Sequence, residues 1–133
     1  MSFARMYLRI FGALTAVIGL VYLIAPGGLT DAAGFGTLAP GGLTDVRATY
    51  GGIQLGMGGF LLWAAADEAR VRPALVLVML SIGAVALSRA IGLAVDGSAN
   101  PFHVSGLVTE ITLTALSAFA LRRAVPGSGP SEA

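Results

Sequence analysis

The stretch PALVLVMLSIGAVALSRAIGLAV, Pro73–Val95, runs for twenty-three residues with a single ionisable side chain, Arg89. At a rise of about 1.5 Å per residue, a helix of this length spans the roughly 30 Å hydrocarbon core of a bilayer. Lipid cannot satisfy backbone N–H and C=O groups, so a spanning segment must be a helix or part of a closed barrel. A barrel would show short alternating segments rather than one continuous apolar run. Three further segments share this character: Met6–Ala25, Asp45–Ala66 and Phe102–Leu121. The expectation is an all-α integral membrane four-helix bundle over residues 1–125, with a disordered tail over 126–133, where Pro, Gly and Ser dominate.

The interruptions between these segments carry breaking chemistry. Pro26-Gly27-Gly28 ends the first span, Thr44 or Asp45 can cap the second, Pro73 suits a first helical turn, and Asp96–Pro101 reads as a tight turn. Arg5 and Arg9 ahead of the first span raise the question of a cleaved signal peptide. No small-x-small pattern closes that segment, so it is read as a retained helix.

Composition agrees with a membrane setting. The chain of 133 residues is 56% hydrophobic and 11% charged, against about 25% charged in ordinary globular proteins. All eight basic residues are arginines, nearly balanced by seven acids for a net charge of +1. That balance gives no basis for nucleic-acid binding. With no cysteine, thiol chemistry, disulfides and thiolate metal sites are excluded.

Arg5, Arg9, Arg70, Arg72, Arg122 and Arg123 all flank the spans on one face. The positive-inside rule makes that face cytoplasmic, which puts both termini inside and suggests a multi-pass protein of the inner membrane. The opposite face receives the loop Pro26–Thr44 and the turn Asp96–Pro101. The long loop contains a duplication, since Ala25-Pro-Gly-Gly-Leu-Thr-Asp31 recurs as Ala39-Pro-Gly-Gly-Leu-Thr-Asp45. It reads as a local repeat in a tolerant loop, each Thr-Asp starting a helical turn, or as a flexible lid over an outward-facing cavity.

Polar residues within the spans are the informative ones. Arg47, Tyr50 and Gln54, at i, i+3 and i+7, lie on one helical face, which is expected to look inward. Arg89 lies about 9 Å below the outer end of the third span and Glu110 about 12 Å below that of the fourth, so their depths match. His103 precedes Glu110 by seven residues on the same stripe, and Thr114 and Ser117 extend it inward. An ionised group at membrane depth costs from about 3 to over 10 kcal/mol, so Arg89 and Glu110 should face protein or water and meet each other. They form either a buried ion pair that registers the last two spans, with Arg47 as a second donor, or the wall of a polar cavity open to the outer side.

Gly52, Gly56 and Gly59, and separately Gly12, Ala16 and Gly19, form small-residue ridges that allow close helix approach, within the bundle or between copies. Arg9 is expected to snorkel to the interface, with Trp63 and Tyr22 as interfacial anchors. A metal set of Asp96, His103 and Glu110 is conceivable but poorly spaced, so no metal is expected. No phosphate loop, serine elbow or zinc-protease helix motif is present, and no cofactor is indicated.

Three short motifs, Arg47-Ala-Thr-Tyr50-Gly51-Gly52, then Arg89-Ala-Ile-Gly92 with Asp96-Gly97, then Glu110, resemble the pattern of domain-of-unknown-function family 4345, small bacterial four-span membrane proteins. The resemblance covers Met6 to Leu121 and implies the four-span fold, with no activity to carry over. The duplicated loop segment departs from the family pattern.

Two kinds of function fit these residues. One is a non-enzymatic bundle that binds or passes a small or amphipathic ligand, its anionic group drawn by Arg47 and Arg89 and hydrogen-bonded by Tyr50 and Gln54, as a homo-oligomer or as a subunit of a membrane assembly in contact with lipid. The other is a membrane enzyme on a lipid-soluble substrate, with Glu110 as general acid or base assisted by His103 or Tyr50; a neighbouring Arg89 would oppose the proton affinity such a role needs. A purely structural assembly factor is the third reading.

Overall fold

The computed structural model describes residues 2–97 and 99–123; the expected tail, Pro126–Ala133, and Ser98 of the expected turn lie outside the described residues. The described chain is all-α, in the order α1 (Phe3–Ile24), α2 (Gly27–Ala32), α3 (Pro40–Val46), a π-helical segment (Arg47–Gly52), α4 (Ile53–Ala64), α5 (Glu68–Asp96) and α6 (Pro101–Arg123). Of these, α1, α5 and α6 are each long and apolar enough to cross a membrane.

The second expected span takes a different form. It is a continuous helical run from Pro40 to Ala64, begun five residues before Asp45 and divided by the π segment. Thr44 is therefore an interior residue rather than a cap, and its hydroxyl donates back to the Pro40 carbonyl at 3.1 Å. The first copy of the repeat folds the same way, with the Thr30 hydroxyl 3.1 Å from the Pro26 carbonyl. In both copies Thr-Asp closes a helical turn instead of starting one. After the first copy, Gly34 takes a left-handed φ of 81°, a conformation glycine reaches without steric cost, and α2 ends.

A second boundary also moves. α5 starts at Glu68, five residues ahead of Pro73, because the Asp67 carboxylate accepts the Ala69 N–H at 3.0 Å and caps the helix. Pro73 then sits inside the helix and forgoes the bond to the carbonyl of residue 69. Arg70 and Arg72 thus lie on the first turns of α5; Arg70 pairs with Asp67 at 3.2 Å and its guanidinium stacks 4.0 Å over the Trp63 ring. At the other end Gly97, with φ 65°, supplies the left-handed residue that stops α5.

The helices pack as two antiparallel pairs, α1 on α4 and α5 on α6. In the first pair the backbones nearly touch. A Cβ added to Gly58 would lie 2.7 Å from the Gly12 carbonyl oxygen, and one added to Gly19 would lie 2.7 Å from the Leu55 nitrogen. The contacting ridge on the second run is thus Gly51 and Gly58, while Gly52, Gly56 and Gly59 have open space beside them.

The same pair is clasped at both ends. Arg5, near the start of α1, donates from Nε to the Ala65 carbonyl at 2.9 Å and from Nη2 to the Ala66 carbonyl at 3.1 Å, at the end of α4. Arg47, on the returning run, donates from Nε to the Leu23 carbonyl at 3.1 Å, at the end of α1. Each guanidinium meets the electronegative C-terminus of the opposite helix, where carbonyls lack partners within their own helix.

The two pairs meet most tightly at the end that carries Arg5 and Arg123. Leu8, Leu61, Ala64, Ala65, Ala74, Leu75, Val78 and Ala120 are fully buried there. The Tyr7 hydroxyl bridges to α6 in this core, 2.8 Å from Ser117 Oγ and 3.0 Å from the Leu113 carbonyl. Toward the loop end the pairs part. Side chains such as Ile10, Leu14, Leu80, Leu87, Ile91, Val108 and Ile111 face outward and leave an apolar exterior.

Candidate functional site

Where the helix pairs diverge, Arg89 of α5 reaches across to α6. Its Nη2 is 2.6 Å from Glu110 Oε1, and its Nε is 3.0 and 2.9 Å from Oε1 and Oε2, a side-on fork in which both carboxylate oxygens accept. The pair is largely enclosed, with side-chain exposures of 22% for Arg89 and 12% for Glu110. Room for the guanidinium comes from Gly106, where a Cβ would lie 3.2 Å from Arg89 Cζ.

The third nitrogen of Arg89, Nη1, lies 2.9 Å from His103 Nδ1, and His103 Nε2 lies 3.0 Å from the Ala33 carbonyl oxygen. A guanidinium only donates and a carbonyl only accepts. His103 therefore accepts at Nδ1 and donates at Nε2, which defines a neutral imidazole of one tautomer. Asn100 Oδ1 in turn accepts the backbone N–H of His103 at 3.0 Å. A single relay of hydrogen bonds thus runs from the segment after α2, through His103 and Arg89, to Glu110.

This relay forms one wall of a cavity of about 600 Å³ between the helix pairs, within the range of small-molecule sites. Phe11, Thr15, Ile18 and Tyr22 line it from α1; Thr49, Tyr50, Ile53, Gln54 and Met57 from the second run; Ser81, Ile82 and Val85 from α5. Ala33, Phe35 and Phe102 lie at the loop end. The Thr15 and Ser81 hydroxyls are spent on carbonyls of their own helices, at 2.8 and 2.6 Å. The Tyr50 hydroxyl and the Gln54 amide make no hydrogen bond to a described residue. A second, more open hollow of about 570 Å³ lies along Ala84, Ser88, Gly92 and Asp96 and shares Tyr50, Val85, Arg89 and His103 with the first.

Of the residues singled out in the sequence, Arg89, His103 and Glu110 bond directly, and Tyr50 and Gln54 line the same cavity. Arg47 does not join them; it clasps the end of α1. The regular-helix alignment of Arg47 with Tyr50 and Gln54 fails because the π segment, Arg47–Gly52, closes i→i+5 bonds and rotates the residues before it relative to those after it. Asp96 lies exposed on the outer hollow. Among the described residues no three of His, Asp and Glu converge on a point that could hold a metal ion. Thr114 donates to the Glu110 carbonyl at 2.8 Å, and Ser117 belongs to the packed end with Tyr7.

Sequence reasoning missed Gly106, the Ala33 carbonyl and Phe35. Gly106 was readable as the small residue i−4 from Glu110. The other two come from a loop whose path no periodicity predicts; Phe35 is brought 6.0 Å from the Tyr50 ring, which itself lies 5.3 Å from Tyr22.

No match is found among curated proteins or among solved structures. A family model does match, over residues 3–121, nearly the stretch from Met6 to Leu121 to which the sequence motifs pointed. That model is described as Domain of unknown function (DUF4345), and the chain belongs to this family.

Proposed function

We propose that this chain is a four-span bundle of the inner membrane, with its arginine-rich end in the cytoplasm, that binds a small amphipathic molecule in the cavity of its outer half. The observation that carries the reading is the contrast within one bundle: a filled, buried core at one end, and at the other a partly open cavity of about 600 Å³ lined by Arg89, Tyr50 and Gln54 among apolar side chains. Apolar walls with a few convergent polar groups are the usual make-up of a ligand pocket.

Filling the space tests it. Met57→Trp and Ile82→Trp should each remove binding of a lipophilic photo-crosslinking probe while the protein stays folded in detergent. Undiminished labelling in both would refute the role. The absence of cysteine permits a topology test alongside: a cysteine at Gly36 should react with an impermeant reagent from outside the cell, and one at Arg72 should not.

A catalytic role for Glu110 has less support, because both of its carboxylate oxygens accept hydrogen bonds from Arg89. Assembly with a second copy would use the outward glycines Gly52, Gly56 and Gly59. Gly56→Ile would then dissociate an oligomer in detergent without unfolding the chain.

A further inference from the structure

The cavity also has a charge balance. Of its lining, Arg89 contributes one positive charge and Glu110 one negative, and His103 is held neutral by a donor on one side and an acceptor on the other. Arg47, which could have tipped the balance toward anions, is turned onto the Leu23 carbonyl. The adjoining hollow carries the carboxylate of Asp96, which adds no positive charge. An anionic head would meet an already neutralised guanidinium and a nearby carboxylate; a cationic head would have to compete with Arg89 for Glu110. Either leaves an uncompensated charge in a low-dielectric site, which disfavours both charged heads.

Hydrogen-bonding capacity is not balanced in this way. A guanidinium has five N–H donors, and three of them serve Glu110 and His103. Two N–H groups of Arg89 remain, together with the Tyr50 hydroxyl and the Gln54 amide. Opposite them the walls are apolar, with Phe11, Ile18, Met57 and Ile82.

We infer that the molecule this cavity takes is an uncharged amphiphile: an apolar chain whose head presents a hydroxyl or carbonyl oxygen to Arg89 and Tyr50. The inference rests on the binding role proposed above and adds the ligand's class.

Competition against a diazirine-bearing dodecanol probe tests it in the full-length protein, held in a steroid-based detergent that offers no competing alkyl chain. Crosslinks are located by peptide mass spectrometry. Dodecanol, dodecanesulfonate and dodecyltrimethylammonium serve as competitors, with one tail and three head charges. The charged heads are permanent, so neither can escape into a neutral form by proton transfer. Dodecanol should compete about tenfold or more better than either charged analogue. Equal or better competition by dodecanesulfonate or by dodecyltrimethylammonium overturns the inference and leaves the binding role standing. A probe that labels no cavity-lining peptide overturns the binding role itself.

Glu110→Gln, which unmasks Arg89, should move the preference toward dodecanesulfonate by about tenfold. The double variant Arg89→Gln/Glu110→Gln, neutral again, should return it to dodecanol. An unchanged preference in folded Glu110→Gln counts against the inference, and where that variant does not fold, the wild-type series decides alone.

Discussion

The two ends of the bundle use the same helices in opposite ways. At the end marked by Arg5 and Arg123, small and aliphatic side chains such as Ala64, Ala74, Leu75 and Ala120 bring the helix pairs together until no solvent reaches them. At the loop end the facing positions carry Tyr22, Tyr50, Phe35, Arg89 and Glu110, and the pairs stand apart around a cavity. The lesson lies in what holds each end. Without a hydrophobic driving force between helices in lipid, close packing of small residues secures the first. The second relies on a hydrogen-bonded ion pair within α5–α6 and on Arg47 within α1–α4, so each pair is internally fixed while the space between them stays free.

The largest effect that would break this comparison is at the ion pair. Arg89→Leu leaves Glu110 enclosed without its partner and should cost about 3 kcal/mol, read as lost thermal stability in detergent. A shift near zero would mean that the open end is held by something other than the relay. Next comes the glycine contact. Gly58→Ala puts a Cβ where the Gly12 carbonyl already lies and should cost about 2 kcal/mol, whereas Gly56→Ala, beside open space, should leave stability unchanged or slightly improved. Equal losses in the two would contradict the assignment of Gly51 and Gly58 as the contacting ridge.

Core truncation sharpens the contrast between the ends. Leu75→Ala removes a fully buried side chain and should cost about 2 kcal/mol, the low part of the usual range because lipid rather than water is the alternative environment. Ile82→Ala, on the cavity wall, should cost less than about half of that, since the void already exists. The smallest expected change is at the helix clasps. Arg47→Ala and Arg5→Ala should each lose about 0.5–1 kcal/mol as a charge leaves a helix C-terminus. His103→Phe should leave overall stability nearly unchanged yet raise hydrogen exchange across residues 33–36, which it tethers through the Ala33 carbonyl.

Much of the fold was legible because its determinants are one-dimensional. Continuous apolar length marks α1, α5 and α6, and the isolation of Arg89 and Glu110 at matched depths is enough to pair them from sequence. Boundaries were less legible: Asp67 overrides Pro73 as a helix start, and the helical run into the second span begins at Pro40. The site was half legible. Arg89, His103 and Glu110 meet as their spacing implied, and Tyr50 and Gln54 share their cavity. Arg47 was misplaced because a π turn leaves no mark in hydrophobic periodicity.

By itself the sequence determined an all-helical chain with an apolar exterior and a forced partnership between its two deepest opposite charges, since the cost of burying an unpaired charge acts wherever the chain runs. Only the tertiary structure decided which glycines touch, which arginine clasps a helix end, and that the helix pairs diverge around a cavity. Those features depend on how rods rotate and tilt against one another, and rotation is set by the sum of many side-chain contacts rather than by the residue at any one position.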